Sequence, residues 1–257
     1  MNVVWCLPAM EHFGKVVSAA TGWPLYVDAP IPDCDVCYIV GMYDVPYYGR
    51  TLAQTKRAKR RVIDWCGTDS KVIQVGMLPG NATYIAENDL YRDLVRAEGL
   101  DCETCPKPTK HHFPVTPLPE TPTIGAYLGN NAESYGGAYI RMLQDAFPDV
   151  LFHTYSYNQY GADEMADIMA TTTVQVQLGN DGGGHILREA MEAGRYAVTT
   201  LNLKHAIKVH NDDIPRIIRE VGKALKHTEP DLVASEYWAA YNTDEAFVGR
   251  LHEQASL

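Results

Sequence analysis

The stretch Val174–Gly194, VQVQLGNDGGGHILREAMEAG, predicts a strand, a glycine-rich loop and a helix in immediate succession. Residues Val174–Leu178 alternate between apolar and polar, which is typical of a strand, and helical periodicity begins near His185. The glycines Gly182–Gly184 separate the two elements. Because a strand that leads into a helix through a short loop is the repeating unit of parallel α/β domains, this stretch indicates the fold class.

The same alternation continues on both sides of this stretch. Strands are expected at Thr123–Leu128, Leu151–Tyr155, Val174–Leu178 and Tyr196–Thr199, and helices at Tyr135–Ala146, Asp163–Ala170 and His185–Ala193. These elements predict a Rossmann-like domain over residues 123–235. The aromatic helical stretch Ala234–Glu253 predicts one closing helix, assigned to residues 236–257.

The first part of the chain has its own set of alternating elements. Strands are expected at Val3–Leu7, Val36–Val40, Arg61–Trp65 and Val72–Val75, and helices at Phe13–Ala20 and Thr51–Lys59. They predict a first Rossmann-like domain over residues 1–105, and six prolines predict a linker over residues 106–122. The expected architecture is α/β, with two Rossmann-like domains facing a cleft and ligands at the carboxyl ends of the strands.

Composition narrows the function classes. The 257 residues are 46% hydrophobic and 21% charged, as in ordinary globular proteins. A net charge of -10 argues against non-specific coating of nucleic acid. The one dense basic run, Lys56–Arg61, is interpreted as a solvated helix face. The N-terminal segment does not resemble a signal peptide and no apolar window is long enough to span a bilayer, so a cytoplasmic location is expected.

The cysteines leave one metal-site alternative open. Cys37 and Cys66 lie in or at the end of apolar runs and are interpreted as core residues. Cys102 and Cys105 have the spacing that zinc sites favour and precede His111 and His112, but the segment is rich in proline. The preferred prediction is that the protein has no metal site.

The glycine loop combines three features that suit one kind of ligand. A helix start presents main-chain N–H groups and the positive end of the helix dipole, which favour a phosphate. Glycines let a ligand approach the main chain closely. Asp181 precedes the glycines and Glu189 follows eight positions later, and a carboxylate can accept two hydrogen bonds from a vicinal diol. The combination indicates a diphosphate that joins two sugars.

The same residues resemble the motif of a known family. Asp181–Gly194 is similar, without gaps over fourteen positions, to E-G-F-G-L-P-x-L-E-A-M-A-x-G of retaining GT-B glycosyltransferases that use nucleotide sugars. This sequence has aspartate for the first glutamate, glycine for the aromatic residue and His-Ile for Leu-Pro. Gly161–Leu178 and Ile124–Gly129 resemble the segments that precede the motif in this family. The resemblance covers residues 120 to 250.

The resemblance implies a role for each matching residue. Asp181 would contact the transferred sugar, as a catalytic residue, and Glu189 would hold the ribose. Tyr155 and Tyr157 would lie where the family reads the base. The implied donor-binding residues are Gly182, Gly183, Gly184, His185, Arg188, Glu189, Gly129, Asn130, Tyr155 and Tyr157.

The resemblance also implies the reaction, which is transfer of a glycosyl group from a UDP- or GDP-linked sugar to a hydroxyl, with retention and without a metal or other cofactor. The family places a lysine or arginine for the diphosphate after the first strand of this domain, where residues 129–134 read GNNAES. Arg188, Lys204, His205 and Lys15 are the candidate substitutes.

Two residues of the first domain complete the predicted site. His12 follows the first strand and is the second candidate catalytic residue, where it would orient donor or acceptor. Asp69 follows another strand end and is the candidate acceptor contact. Compact members of the family include viral and phage enzymes that modify hydroxymethylated DNA bases or glycans, so both acceptors are carried as hypotheses. The basic run would then contact DNA phosphates.

Other interpretations stay open at this point. A sugar-nucleotide epimerase would share the diphosphate site but use its acids as proton shuttles. A catalytically inactive nucleotide-binding module is favoured by the missing cation. A plain tight turn at the glycines would leave Glu189 unexplained.

Overall fold

The computed structural model describes residues 1–45, 48–109, 111–129, 132–156, 160–179 and 184–255. The chain divides into two compact units. The first unit combines Met1–Pro108 with Asn242–Leu257, and the second contains Thr109–Tyr241. The first unit is therefore assembled from two separate segments of chain, whereas the second is continuous.

The first unit contains a six-stranded parallel sheet with strand order β2-β1-β3-β4-β5-β6. Its strands are β1 (Asn2–Cys6), β2 (Leu25–Val27), β3 (Cys34–Val40), β4 (Ala58–Trp65), β5 (Ala82–Ala86) and β6 (Cys102–Thr104). Its helices are α1 (Glu11–Thr21), α2 (Gly49–Gln54), α3 (Asp89–Ala97) and, from the second segment, α9 (Asp244–Ala255). Because β2 is added on one side of β1 and β3 on the other, the strand order reverses between β1 and β3.

Side chains on the two faces of this sheet enter two separate apolar clusters. Trp5 and Ile39 lie in one cluster, and their chain neighbours Val4 and Tyr38 lie in the other, as the two-residue period of a strand requires. Phe247 of α9 is fully buried in the second cluster. Burial of both faces explains why these strands read as nearly continuous apolar runs.

Helix ends in this unit follow from local sequence. The side chain of Asn88 accepts a hydrogen bond from the Tyr91 N–H at 3.0 Å and so caps the start of α3. Helix α1 ends at Gly22, which adopts the left-handed conformation at φ 68° and donates its N–H to the Ser18 carbonyl.

The second unit contains a five-stranded parallel sheet with strand order β11-β10-β9-β7-β8. Its strands are β7 (Thr123–Tyr127), β8 (Leu151–Tyr155), β9 (Val174–Gln177), β10 (Tyr196–Thr199) and β11 (Ile207–Lys208). Its helices are α4 (Gly137–Ala146), α5 (Ala162–Ala170), α6 (His185–Glu192), α7 (Ile214–Ala224) and α8 (Leu232–Tyr241). The strand order reverses between β7 and β9, which places the carboxyl end of β9 beside the reversal.

Three expectations about the elements were wrong. The segment Val72–Val75 is not a strand: its position beside β4 is taken by β5, and short 3-10 turns occupy Thr68–Lys71 and Val75–Met77. The basic run Lys56–Arg61 is not a helix face, because α2 ends at Gln54 and β4 begins at Ala58. The single closing helix is two helices, α8 and α9, separated where the chain returns from the second unit to the first.

Among the residues that the structure describes, no helix is both long enough and apolar enough to cross a membrane.

Candidate functional site

The point at which the strand order reverses in the second sheet is where ligands bind in open α/β domains. Gly129 follows β7 there, and Gly179 and Gly184 belong to the loop that joins β9 to α6. Asn130, Tyr157, Asp181, Gly182 and Gly183 were also assigned to this edge from the sequence, and they lie outside the described residues. The structure therefore describes the two ends of the glycine-rich loop and the helix that follows it.

The loops after β7 and β9 pack main chain against main chain. A Cβ added to Gly136 would lie 2.8 Å from the Gly179 nitrogen, and one added to Gly179 would overlap the Ser134 carbonyl oxygen. The Gly179 carbonyl also accepts a hydrogen bond from the Thr200 hydroxyl at 2.9 Å. Only glycine allows the two main chains to come this close. Gly136 and Gly179 therefore hold the loops after β7 and β9 together at the edge of the sheet where the candidate ligand would lie.

The N-cap of helix α6 is Gly184, a buried glycine in the left-handed conformation at φ 74°. A left-handed residue turns the chain sharply into the first helical turn at little steric cost when it is glycine. The first turn of α6 contains no acidic residue. No carboxylate of this first turn therefore competes with a bound anion for the positive end of the helix dipole.

His185 and Arg188 lie in the first turn of α6 and contact each other. Arg188 is completely buried, and its Nη2 lies 3.0 Å from Nδ1 of the half-buried His185. Their separation of three residues puts both side chains on one side of the helix. The structure thus brings together two residues that the sequence assigned separately to the donor site.

Glu189 is buried on the same helix, with 5% of its surface exposed. Its Oε1 accepts a hydrogen bond from the main-chain N–H of His111 at 3.1 Å. The residue assigned to the ribose is thus held by the proline-rich segment, a contact that sequence reasoning did not predict.

The proline-rich segment lies along α6 and the turn that follows it. Oε1 of Glu192 is 2.7 Å from Nδ1 of His112. The buried Arg195 donates hydrogen bonds to the carbonyl oxygens of Thr116, at 2.9 Å, and Pro117, at 3.2 Å. Residues 111–117 are therefore bound to the second unit and do not form a free spacer.

Tyr155, which was expected to lie where the base is read, is enclosed by its surroundings. Only 3% of its surface is exposed, and its hydroxyl donates a hydrogen bond to Oε1 of Gln175 at 2.8 Å. Burial, with the charge of Glu189 adding to it, raises the pKa of Tyr155 well above its ordinary value. A ring that is enclosed in this way presents no open face to a nucleobase.

Asp69 also has a placement that does not fit the expected contact with an acceptor. It is 1% exposed, and its carboxylate accepts main-chain N–H groups from Met42 at 3.0 Å, Gly67 at 2.8 Å and Ser70 at 3.1 Å. Burial raises the pKa of Asp69 to about 6, with a contribution from Asp64, although the main-chain hydrogen bonds act in the opposite direction. Asp69 organises the loop after β4.

His12 lies in the first turn of α1, which follows β1 after the 3-10 turn Pro8–Met10, and β1 borders the reversal of strand order in the first sheet. Its ring centroid is 3.9 Å from that of Phe13, and the side chain is half-buried. The position matches the expected edge of the sheet, and the orienting role stays a prediction.

A buried charged cluster at the same edge of the first sheet was missed from the sequence. Lys107 Nζ lies 2.6 Å from Oδ2 of Asp64 and also contacts Glu87, and all three side chains are at most 2% exposed. Tyr38 donates its hydroxyl hydrogen to the same Asp64 oxygen at 2.7 Å. Burial and the charge of Glu87 raise the pKa of Asp64, while Lys107 lowers it. The cluster fixes the first residues of the proline-rich segment to the first unit.

The remaining candidate cations have partners of their own. Lys15 is exposed and pairs with Glu11 on α1 at 2.7 Å. Lys204 Nζ lies 4.3 Å from the centroid of the Tyr237 ring, a cation–π distance. His205 adopts the left-handed conformation at φ 66° beside the same ring. None of these contacts points to a phosphate.

The cysteines do not form the zinc pair that the spacing left open. Cys102 and Cys105 are buried in different apolar clusters, and burial raises the pKa of each to about 12. The described part of the chain holds no group of three or more His, Cys, Asp or Glu side chains that could ligate a metal ion.

No protein-family model and no curated protein matches this sequence. Solved structures match its fold. The sucrose-phosphate synthase of Thermosynechococcus elongatus is similar over 99% of both chains, with a TM-score of 0.71 and 11% identity. The lipopolysaccharide outer core galactosyltransferase WaaB is similar over 99% of both chains, with a TM-score of 0.66 and 7% identity.

A third structure, TarM, is similar over 85% of this chain, with a TM-score of 0.58 and 12% identity. This chain spans 54% of TarM. At such identities the likeness concerns the fold. The protein has two units of parallel sheet and helix, and each sheet has one reversal of strand order. The solved structures match this architecture over nearly the whole chain. The protein therefore has the GT-B fold of these glycosyltransferases, as its motif predicts.

Proposed function

We propose that the protein is a glycosyltransferase that moves a sugar from a nucleoside diphosphate to an acceptor hydroxyl, with the second unit binding the donor. One observation carries the proposal: α6 begins at the reversal of strand order and carries the buried carboxylate of Glu189 one turn further on. Four residues of helix rise about 6 Å. The diphosphate and ribose of one nucleotide can bridge that separation.

The proposed reaction exchanges one glycosidic bond for another. The bond between the anomeric carbon and the diphosphate oxygen breaks, and its electron pair leaves with the diphosphate. The acceptor oxygen bonds to the anomeric carbon from the same face, and its proton passes to the leaving diphosphate. The N-terminus of α6 and nearby main-chain N–H groups stabilise the charge on the leaving group, and Asp181 holds the transferred sugar.

UDP-linked sugars are the first donors to test. The trehalose-phosphate synthase from Burkholderia vietnamiensis, with a TM-score of 0.58 and 9% identity over 97% of this chain and 78% of its own, is described as UDP-forming. A TarM variant of S. aureus, with a TM-score of 0.57, has been crystallised with UDP. GDP-linked sugars form the second group.

A glycan is the preferred acceptor over modified DNA. A DNA phosphate contact needs exposed, available charge in the basic run Lys56–Arg61. Arg61 is 7% exposed and bonds to Thr55 and Asn81, and Lys59 pairs with Asp35 at 2.8 Å. Two of the cations in this run are therefore engaged within the first unit.

A thermal-shift screen of nucleotide sugars, followed by a hydrolysis assay, tests the proposal. A bound donor raises the melting temperature in proportion to the logarithm of its concentration above Kd. One donor should stabilise the protein and be hydrolysed slowly without acceptor, and Asp181→Ala should abolish hydrolysis but leave folding intact. Failure of every nucleotide and nucleotide sugar to bind would refute the proposal.

A nucleotide-binding module without catalysis is the second candidate. The observation that favours it is the absence of lysine and arginine from residues 129–136, where a diphosphate cation would be expected. Tight binding of a nucleotide without hydrolysis, and without transfer to glycan or hydroxymethylated DNA, would support this candidate against the enzyme.

A further inference from the structure

The segment after β7 supplies no cation to the donor site, so the charge of a diphosphate must be met elsewhere. Residues 129–136, GNNAESYG, contain one acidic and no basic residue. Among the described residues, Arg188 is a basic side chain in the first turn of α6, where it is completely buried. A buried guanidinium acts through a medium of low polarity, where its field is weakened less than in water.

The contact between Arg188 and His185 determines where the imidazole carries its proton. A guanidinium has five N–H donors and no acceptor, so Nδ1 of His185 must accept the hydrogen bond at 3.0 Å. An imidazole that accepts at Nδ1 is neutral and carries its hydrogen on Nε2. Arg188 thus makes His185 an N–H donor at the start of α6.

The sequence supports a joint role for these two residues. Both stand where the related motif quoted above has leucine, an apolar residue that cannot donate a hydrogen bond. Here the two polar residues occur together, three positions apart, and contact each other. Glu189, four residues after His185, lies on the same face of α6 as the imidazole, and its carboxylate accepts the main-chain N–H of His111.

We propose that His185 donates a hydrogen bond from Nε2 to the donor diphosphate, and that Arg188 is the positioning residue that fixes this tautomer and supplies the positive charge behind it. The pair replaces the cation that the segment after β7 lacks. Arg188 does not touch the ligand in this arrangement, because its side chain is completely buried. This inference rests on the proposed function.

The proposal is tested first without any nucleotide. Protein labelled with 15N-histidine should show the Nε2–H tautomer for His185, assigned by the loss of its signals in His185→Gln. Arg188→Met should replace that pattern by a mixture of tautomers or by the protonated ring. A Nδ1–H tautomer in the wild-type protein would overturn the proposal, whatever the protein binds.

Binding of UDP and uridine, measured by calorimetry, tests the contact with phosphate. His185→Phe should weaken UDP binding about 10- to 100-fold, the effect of losing one hydrogen bond to a charged group, and leave uridine binding unchanged. His185→Gln retains an N–H donor near the Nε2 position and should lose no more than about threefold. Equal UDP affinity in the wild-type protein and His185→Phe would overturn the proposal.

Non-additivity tests whether Arg188 acts through His185. Arg188→Met and His185→Phe should each weaken UDP binding, and the double variant should be no weaker than the worse single variant. Losses that add would assign Arg188 an independent role and overturn this part of the proposal. Lys226→Met, which removes one exposed positive charge from the same unit, is the matched control and should bind UDP normally.

Two precautions keep these outcomes distinct. If Arg188→Met does not fold, the half-buried His185 variants still decide the question. If the wild-type protein binds no nucleotide and no nucleotide sugar, the proposed function fails, and the tautomer measurement alone judges the His185–Arg188 pair. If the wild-type protein binds a nucleotide and His185→Phe binds it equally well, only the further inference fails.

Discussion

Glu189 and His111 are joined by a 3.1 Å hydrogen bond across 78 residues of sequence. The donor is the main-chain N–H of His111, in the proline-rich segment, so the bond does not depend on the histidine side chain. Three residues further along α6, Glu192 makes the corresponding contact with the side chain of His112. The two glutamates are buried to nearly the same extent, at 5% and 6% exposure.

This pair gives a matched test of the ribose assignment. Glu189→Gln retains an oxygen that accepts the His111 N–H but loses the charge that binds a diol strongly, so nucleotide affinity should fall about tenfold or more. Glu192→Gln on the same helix should leave the affinity within about twofold. Calorimetry with UDP and GDP measures both variants. Similar losses in the two variants would mean that the change acts through the packing of the proline-rich segment.

Loss of the cation from the buried cluster should destabilise the first unit strongly. Lys107→Met leaves Asp64 and Glu87 buried without their cation, so the free energy of unfolding should fall by about 3–5 kcal/mol. Lys59→Met removes an exposed partner of Asp35 and should change stability little. Urea denaturation measures both variants. The double variant Lys107→Met/Glu87→Gln should recover part of the loss, and no recovery would argue against the electrostatic explanation.

Asp69 should make stability depend on pH between about 4 and 6. Its carboxyl retains a proton up to pH about 6 in the folded protein but releases it near pH 4 when unfolded. The folded state therefore binds more protons in this window. The stabilisation is present below pH 4 and is lost as the pH rises to 6, by about 3 kcal/mol.

The matching measurement is the free energy of unfolding of the wild-type protein and Asp69→Asn as a function of pH. The wild-type value minus the variant value should fall between pH 4 and 6 and stay constant above. Parallel curves across this window would contradict the raised pKa of Asp69.

Gly179 should be intolerant of any side chain. A Cβ there overlaps the Ser134 carbonyl and the Tyr135 main chain, so Gly179→Ala should lower the free energy of unfolding by about 2–4 kcal/mol and weaken nucleotide binding. Gly249 lies inside α9 with open space around it, so Gly249→Ala should raise stability by about 0.5–1 kcal/mol. Thermal and urea unfolding check both, and a neutral Gly179→Ala would mean that the loops after β7 and β9 can separate.

The sequence predicts the second unit well because its signals are local. Alternation over Val174–Leu178, a glycine loop and helical periodicity from His185 are each contained within a few residues, and β9 and α6 lie where expected. Gly129 follows β7 and Glu189 lies on α6, because local patterns determine where a strand ends and a helix begins; their roles in binding stay predictions.

Contacts between distant segments were not predictable in this way. The apolar run Val72–Val75 resembles a strand, but the place beside β4 is decided by pairing with Ala82–Ala86, which no local pattern reveals. Asp69 follows a strand end, as an acceptor contact would, yet main-chain N–H groups of its own and a neighbouring loop occupy its carboxylate. Lys107 carries no sequence signal, because both of its carboxylate partners lie on other strands or loops.

Because the first unit is built from two segments, its core cannot be completed until the second segment has been synthesised. Phe247 of α9 fills one of the two apolar clusters of that unit, and Arg250 donates a hydrogen bond to the Pro106 carbonyl across 144 residues of chain. The first 108 residues leave the ribosome well before α9 does, and until then this cluster has its contacts from α1 but lacks Phe247 and Leu251. The second unit is continuous, so every residue of its core has been synthesised before the last helix of the first unit.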